Sequence, residues 1–273
     1  MKCELANLSV YYEVLGEGKP IVMISGVPSD HQIIKSWMEP AFASRPGWRR
    51  IYFDLPGTGL TPAAGITTID QILDVVCEFI DHILPTQNFT LLGLSAGGYL
   101  ARGFVHRKPE QVNGLCLLVP WLSEHETEEL PSPAVIAPDP KIMLQLPADD
   151  AQNITGLSVV QNQKIVNWYR DVVVAARQKG EGLSIEKYAF SFNMDDPPVS
   201  FVKPALFLLG RQDSHVGYRD AMDILERYPR ATLAVLDRAG HALGIEQEDL
   251  FRALINEWLD RVEENNPIAL FQK

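Results

Sequence analysis

The chain has 273 residues, of which 46% are hydrophobic and 22% charged, as in a soluble protein with one large domain or a domain with an insertion. The formal net charge of −11 argues against a nucleic-acid partner, and no apolar run approaches the roughly 18 residues that span a bilayer. The three cysteines are widely spaced, and Cys77 and Cys116 lie in apolar runs that indicate buried thiols. The first residues also lack an apolar signal core, so a reducing cytoplasm is the expected location.

Strand-like and helix-like runs alternate through the first part of the chain. The clearest helix is the amphipathic run 68–84, and another begins at Ala96 and reaches an end signal at Arg107-Lys108-Pro109. The predicted strands are 8–15, 21–24, 50–53, 89–94 and 115–119, and a further helix is predicted at 30–43.

The last part of the chain repeats this alternation, with strands predicted at 205–209 and 232–236 and helices at 217–228 and 248–263. The pattern predicts an α/β fold: a mostly parallel central sheet with helices on both faces. Residues 1–120 and 201–273 are expected to form this core.

Residues 121–200 interrupt the alternation of strands and helices. The segment has an acidic, proline-rich start and helix-like runs at 159–169 and 171–179. We interpret this segment as a helical insertion that caps the carboxyl ends of the strands; a plain acidic surface insertion is the alternative. Its aromatic residues are expected either to line an apolar pocket or to pack inside the insertion: Trp168, Tyr169, Tyr188, Phe190 and Phe192.

The pentapeptide Gly93-Leu94-Ser95-Ala96-Gly97 stands between a buried strand and a helix. A serine at such a junction sits on a sharp, strained turn, and the free N–H groups of the helix start favour a developing oxyanion. A serine hydroxyl is a weak nucleophile that needs a histidine base and an acid. Ser95 is therefore the candidate nucleophile.

Two other strands end in the required partners, Asp213 after 205–209 and His241 after 232–236. Asp213 would accept the Nδ1–H of His241, and His241 would take the Ser95 proton. Taken alone, Ser95 and Asp213 also fit helix caps, and His241 also fits a surface loop. The order of the three residues along the chain and their shared position at strand ends favour a triad. Glu124 is the reserve acid.

An oxyanion hole requires two backbone N–H donors near the serine. One is expected from Ala96, directly after Ser95, and the other from Val27 in the turn Ser25-Gly26-Val27-Pro28. An ordinary loop is the alternative for that turn.

At these residues, from about 22 to 258, the chain resembles the α/β-hydrolase family. The pentapeptide resembles its nucleophile elbow, and Ser25-Gly26-Val27-Pro28 its His-Gly-x-Pro turn. Asp54-Leu55-Pro56-Gly57-Thr58-Gly59 resembles a common family segment, and Gly210-Arg211-Gln212-Asp213 and Gly240-His241 its acid and histidine loops. The resemblance implies the fold, the triad and a cap.

The chain departs from the family at Ser25, where relatives often carry a histidine that helps to hold the oxyanion turn. A serine nucleophile argues against the similar dehalogenases and epoxide hydrolases, which use aspartate. The resemblance to proline iminopeptidases is weaker, since they typically show His-Gly-Gly-Pro-Gly.

We therefore expect a serine hydrolase that cleaves a small carboxylic ester or related acyl substrate through an acyl-enzyme, without a cofactor. The alternatives are a carbon–carbon bond hydrolase or lyase with the same triad, and a ligand-binding or signalling protein with vestigial turnover. No metal site is predicted, because Asp213 and His215 lack a third ligand. His31 is expected at the exposed start of a helix, with a place in the pocket lining as the alternative. The expected partner is a small molecule, and oligomeric state stays open.

Overall fold

The structure, a computed structural model, describes residues 1–122, 130–182, 185, 188–195 and 200–264. Within these ranges one sheet of eight strands runs in the order β1-β2-β4-β3-β5-β6-β7-β8. The strands are β1 (Lys2–Glu4), β2 (Ser9–Leu15), β3 (Lys19–Ile24), β4 (Trp48–Phe53), β5 (Phe89–Leu94), β6 (Val112–Leu118), β7 (Ala205–Gly210) and β8 (Ala231–Leu236). The pairs from β4 onward are parallel, whereas β1–β2 and β2–β4 are antiparallel.

Burial explains why the parallel strands read as unbroken apolar runs. β5 and β7 are buried at every residue, so both faces of the sheet need cover. One apolar cluster joins the sheet to α2 and α3, and a second joins the other face to α1 and α10. The predicted α/β architecture is confirmed, and β1, a three-residue edge strand, is an addition that its short pattern did not signal.

The ten described α-helices are α1 (Gln32–Phe42), α2 (Ile69–Ile83), α3 (Ala96–Arg107), α4 (Pro140–Met143), α5 (Ala148–Leu157), α6 (Gln163–Trp168), α7 (Ala175–Arg177), α8 (Asp220–Ile224), α9 (Leu243–Glu246) and α10 (Glu248–Glu264). Five of them, α1, α2, α3, α8 and α10, fall close to helices predicted for the core. α3 ends at Arg107 because Lys108 precedes Pro109 and leaves the helical conformation. None of the described helices combines the length and hydropathy that a bilayer crossing requires.

The segment between β6 and β7 carries α4 to α7, with a π-helical turn at Tyr169–Val174 between α6 and α7. The predicted helix 159–169 was wrong at its start, and α5 was not predicted. Val159 and Val160 donate their N–H groups to the carboxylate of Glu246, which holds them out of a helix. α6 begins only after Asn162, whose side chain caps the N–H of Ile165.

Cys77 and Cys116 are buried free thiols, as predicted. Burial raises the pKa of both thiols, which keeps them protonated and unreactive at neutral pH.

Candidate active site

Ser95 occupies a strained turn between β5 and α3, with φ 54° and ψ −121°. Such a positive φ is uncommon outside glycine, and it persists only where the surroundings enforce it. A Cβ on Gly97 would lie 2.3 Å from the carbonyl oxygen of Ile24, and one on Gly93 would lie 2.3 Å from that of Gly97. Glycine at position 93 therefore lets β5 and α3 meet at the turn, and glycine at position 97 lets α3 approach β3.

Neighbouring backbone groups fix the Ser95 peptide units. Its N–H donates to the carbonyl oxygen of Leu118 over 2.9 Å, and its carbonyl accepts from the N–H groups of Gly98 and Trp121 at 2.8 and 3.0 Å. The Ser95 side chain lines a cavity that His241 also lines. The turn thus holds the backbone rigidly while the side chain faces open space.

Asp213 and His241 form a hydrogen-bonded pair, with His241 Nδ1 2.8 Å from Asp213 Oδ2. Asp213 is fully buried, and its Oδ1 accepts the N–H groups of His215 and Val216 at 2.8 and 3.2 Å. Burial would raise the pKa of Asp213, but the facing His241 and these N–H donors hold it below its ordinary value. Burial would lower the pKa of His241, but the Asp213 charge and hydrogen bond raise it. Asp213 is thus held in its ionised form, and His241 is a stronger base than a free imidazole.

His215 is a site residue that the sequence interpretation considered only as a metal ligand. Its ring stacks on that of His241, with centroids 5.1 Å apart and planes 21° apart. Burial, followed by the charge of His241, lowers the pKa of His215. The only signal was its place two residues after the predicted acid, in a loop that had to reach the histidine.

The turn after β3 lies directly beside Ser95. A Cβ on Gly26 would approach the Ser95 Cβ to 3.0 Å, a tight contact that favours glycine there. The N–H groups of Val27 and Ala96 donate no hydrogen bond to any described residue. Val27 lines the cavity, and Ala96 follows Ser95 directly in the chain.

Ser25 holds this turn where relatives often carry histidine. It is buried, and its Oγ donates to the carbonyl oxygen of Asp30 over 2.9 Å. A second bond, from the N–H of Ser29 to the carbonyl oxygen of Gly26, closes the turn over 3.2 Å. These two bonds support the turn after β3 in this chain.

The expectation that His31 is exposed was wrong, since only 3% of the residue is accessible. Its Nδ1 lies 2.7 Å from Asp54 Oδ1, and its backbone N–H donates to the same oxygen. Burial would lower the pKa of His31, but Asp54 raises it. The long-range contact with Asp54, in the segment after β4, could not be read from the residues around His31.

One group of described residues offers the donor types of a metal site, with ligand atoms of Asp30, His31 and Asp54 within 4.8 Å of one another. These atoms already serve other partners. Asp54 accepts from His31 and from the N–H of Leu60, and Asp30 accepts from the N–H of Gln32 and faces Lys179 at 3.7 Å. These contacts explain the cluster as a link between the segments that follow β3 and β4.

Ser95 and His241 line a cavity of about 300 Å³ whose remaining wall comes from both the core and the segment between β6 and β7. Trp37 lies on the core side, and Leu157, Trp168 and Val173 lie on the side of that segment. Trp168 also donates its Nε1–H to Ser36 Oγ over 3.0 Å, which joins α6 to α1. Phe190 instead stacks on Tyr99, with centroids 4.5 Å apart, so the predicted aromatic residues divide between lining and packing.

Glu246 joins the histidine loop to the segment between β6 and β7. Its Oε2 accepts the N–H of Gly240 at 2.7 Å, and its Oε1 accepts the N–H of Val159 and the hydroxyl of Ser158 at 2.6 and 2.9 Å. Burial raises the pKa of this carboxyl despite the donors. The reserve acid Glu124 lies outside the described residues.

The Ser95 hydroxyl, the His241 imidazole and the Val27 backbone surround one cavity, with Asp213 bonded behind the imidazole and the Ala96 N–H next to Ser95 in the chain. Such groups provide the parts of nucleophilic acyl transfer: attack, proton transfer and stabilisation of an oxyanion. Nothing in these described groups requires a cofactor for that chemistry.

The chain matches the model of the alpha/beta hydrolase family over residues 21–254. Among curated proteins it is 28% identical to a pimeloyl-[acyl-carrier protein] methyl ester esterase of Aeromonas hydrophila, covering 92% of this chain and all of the relative. It is 22% identical to a protein of the same name from Legionella pneumophila, with the same two coverages.

Among solved structures, an alpha/beta superfamily hydrolase of Oenococcus oeni superposes with a TM-score of 0.85 at 24% identity, covering 96% of this chain and 99% of that one. A meta-cleavage product hydrolase of Pseudomonas fluorescens superposes with a TM-score of 0.66 at 20% identity, covering 97% and 98%. These likenesses concern the fold. Together with the family match over most of its length, they identify the chain as a member of the α/β-hydrolase family.

Proposed function

We propose that the protein is a serine hydrolase that cleaves a small carboxylic ester through an acyl-enzyme. The observation that carries the proposal is that Ser95, at a strained strand–helix turn, lines one cavity with the hydrogen-bonded pair of His241 and Asp213. The names of the most similar curated relatives, methyl ester esterases, favour an ester as the substrate.

In the proposed reaction the Oγ of Ser95 attacks the ester carbonyl while His241 takes the proton from that hydroxyl. Asp213 stabilises the resulting imidazolium. The N–H groups of Val27 and Ala96 bind the oxyanion, and each such donor contributes about 3 kcal/mol to the transition state. His241 then protonates the leaving alcohol, which gives the acyl-enzyme. A water molecule activated by the same histidine releases the acid.

We further propose that residues 121–200 form a cap on a core made of residues 1–120 and 201–273. The support is that α5, α6 and the π-helical turn contribute Leu157, Trp168 and Val173 to the cavity wall. A cap built in this way excludes water from the acyl-enzyme and determines which acyl groups enter.

The test compares wild-type protein with Ser95→Ala on a short-chain p-nitrophenyl ester. We expect the substitution to abolish turnover and to leave the circular dichroism spectrum unchanged. Ser44→Ala, at an exposed serine outside the cavity, serves as the control and should keep full activity. Unchanged turnover in Ser95→Ala protein would refute the assignment.

Two additional measurements separate the alternatives. A fluorophosphonate probe should label wild-type protein at Ser95, and failure to label it would favour a binding protein with vestigial turnover. A panel of esters and vinylogous diketones should show turnover of the esters, and selective turnover of the diketones would favour the carbon–carbon bond hydrolase.

A further inference from the structure

The wall of the Ser95 cavity carries a positive charge, that of Arg177, although the chain as a whole is acidic. A second cavity, of about 740 Å³, shares Leu157, Arg177 and His215 with the first, so the two adjoin. The chain has 35 acidic and 24 basic residues, yet no described Asp or Glu lines either cavity. Arg177 is the one described lining residue with a permanent charge, so both spaces favour an anion.

Arg177 ends α7, and its guanidinium makes no hydrogen bond or ion pair with any other described residue. The nearby cations of the same segment are engaged, since Arg170 pairs with Asp171 at 2.8 Å and Lys179 faces Asp30 at 3.7 Å. A guanidinium has five N–H donors in a planar fork that matches a carboxylate. Arg177 therefore offers the cavities an unused binding group for an oxyanion.

The position of Arg177 relates it to the reacting groups. His215, which stacks on His241, lines the boundary between the two cavities together with Arg177. The positive charge of Arg177 also contributes to lowering the pKa of His215, after burial and His241. A ligand with its ester carbonyl at Ser95 thus has the guanidinium of Arg177 on the wall of the same cavity.

We propose that Arg177 binds a free carboxylate of the substrate, so that the preferred substrate is a half ester of a dicarboxylic acid. The ester end lies at Ser95, the apolar chain lies along Leu157 and Trp168, and the carboxylate pairs with the guanidinium. The inference rests on the proposed ester hydrolysis and adds the class of acyl group. Arg177 has no part in the bond-breaking steps and determines specificity.

The first test compares kcat/KM for monomethyl esters of dicarboxylic acids with that for methyl esters of monocarboxylic acids of the same chain length. Wild-type protein should prefer the half esters, and a series from succinate to sebacate should identify the best length. Arg177→Gln should lower kcat/KM for the half esters by about 10- to 100-fold, mainly through KM, as expected for loss of a charge-assisted hydrogen bond. Neutral esters should be unaffected.

Two variants control this comparison. Arg177→Lys keeps the charge and should retain part of the preference. Arg170→Gln, in the same segment but outside both cavities, should keep the whole of it. An equal loss on charged and neutral esters in Arg177→Gln protein, or no preference in wild-type protein, would overturn the proposal.

A binding measurement separates this inference from the proposed function. Half esters should bind Ser95→Ala protein in isothermal titration calorimetry, and the additional change Arg177→Gln should weaken that binding by the same factor. If binding depends on Arg177 but wild-type protein hydrolyses no ester, the proposed function fails and the anion site stands. If neutral esters are hydrolysed and binding is indifferent to Arg177, the anion site fails and the proposed function stands.

Discussion

The ring of His215 stacks on the ring of His241, with 5.1 Å between centroids and 21° between planes. His241 is thereby held on two sides, by Asp213 at its Nδ1 and by a flat ring against its face. Because proton transfer depends on the orientation of the base, we expect His215 to act as a positioning residue for His241 in the proposed reaction.

Replacing His215 by alanine should lower kcat by about 2- to 10-fold, the equivalent of losing one aromatic pair. His215→Phe keeps a flat ring and should restore most of the loss, whereas a role in proton transfer would leave the phenylalanine variant as slow as the alanine one. Steady-state kinetics on one neutral ester distinguishes the two results.

Replacing Asp213 by asparagine should reduce kcat on the order of 10³- to 10⁴-fold and shift the pH dependence. His241 must be neutral to accept a proton, and Asp213 raises its pKa, so wild-type activity falls as pH drops through that raised value. Without the carboxylate the pKa of His241 falls, and the acid limb of the kcat/KM profile should move to lower pH.

The matched control for this profile is Asp237→Asn, at an exposed aspartate after β8. It should leave both the rate and the acid limb unchanged. An acid limb that stays in place in Asp213→Asn protein would mean that another group sets the pKa of His241.

The position of these groups was predictable, because a parallel sheet brings the carboxyl ends of its strands to one edge. Ser95, Asp213 and His241 each follow a parallel strand, and the apolar runs that mark those strands are explicit in the sequence. The burial of His31 was not predictable, because it depends on Asp54 across the fold. The break before α6 likewise depends on Glu246, far along the chain.

Ser25→Ala should test how the oxyanion turn is supported. Loss of the buried bond to the Asp30 carbonyl should lower the free energy of unfolding by about 1 kcal/mol. A loosened turn should also reduce kcat, by less than the 10²- to 10³-fold that removal of one oxyanion donor costs. Chemical denaturation and kinetics check the two effects, with Ser9→Ala in β2, which removes a solvent-exposed hydrogen bond to Glu4, as the control.

If Ser25→Ala protein is as stable and as active as wild-type protein, the hydroxyl does not hold the turn. The support would then come from the bond between Ser29 and Gly26 alone.

Gly97→Ala should destabilise the fold, because its Cβ would lie 2.3 Å from the Ile24 carbonyl and 2.6 Å from that of Ser25. Overpacking of this kind costs about 1–3 kcal/mol, and rigid backbone atoms cannot move aside cheaply. Gly156→Ala in α5 is the matched control, since its nearest neighbour would be a side-chain atom of His215 at 3.6 Å.

Gly156→Ala should raise the free energy of unfolding by about 0.5–1 kcal/mol through helix propensity. The two alanine substitutions should therefore change the stability in opposite directions. Urea denaturation of both variants measures the difference. Equal stabilities would show that α3 can move away from β3 without penalty.

The link through Glu246 has a consequence for protein engineering. The carboxylate that anchors Ser158 and Val159 belongs to α9, after the last strand, and not to the segment it anchors. A chimera that transplants only the residues between β6 and β7 from a relative would therefore leave behind one of their attachment points. Recombination libraries in this family should treat α9 and that segment as a single inherited block.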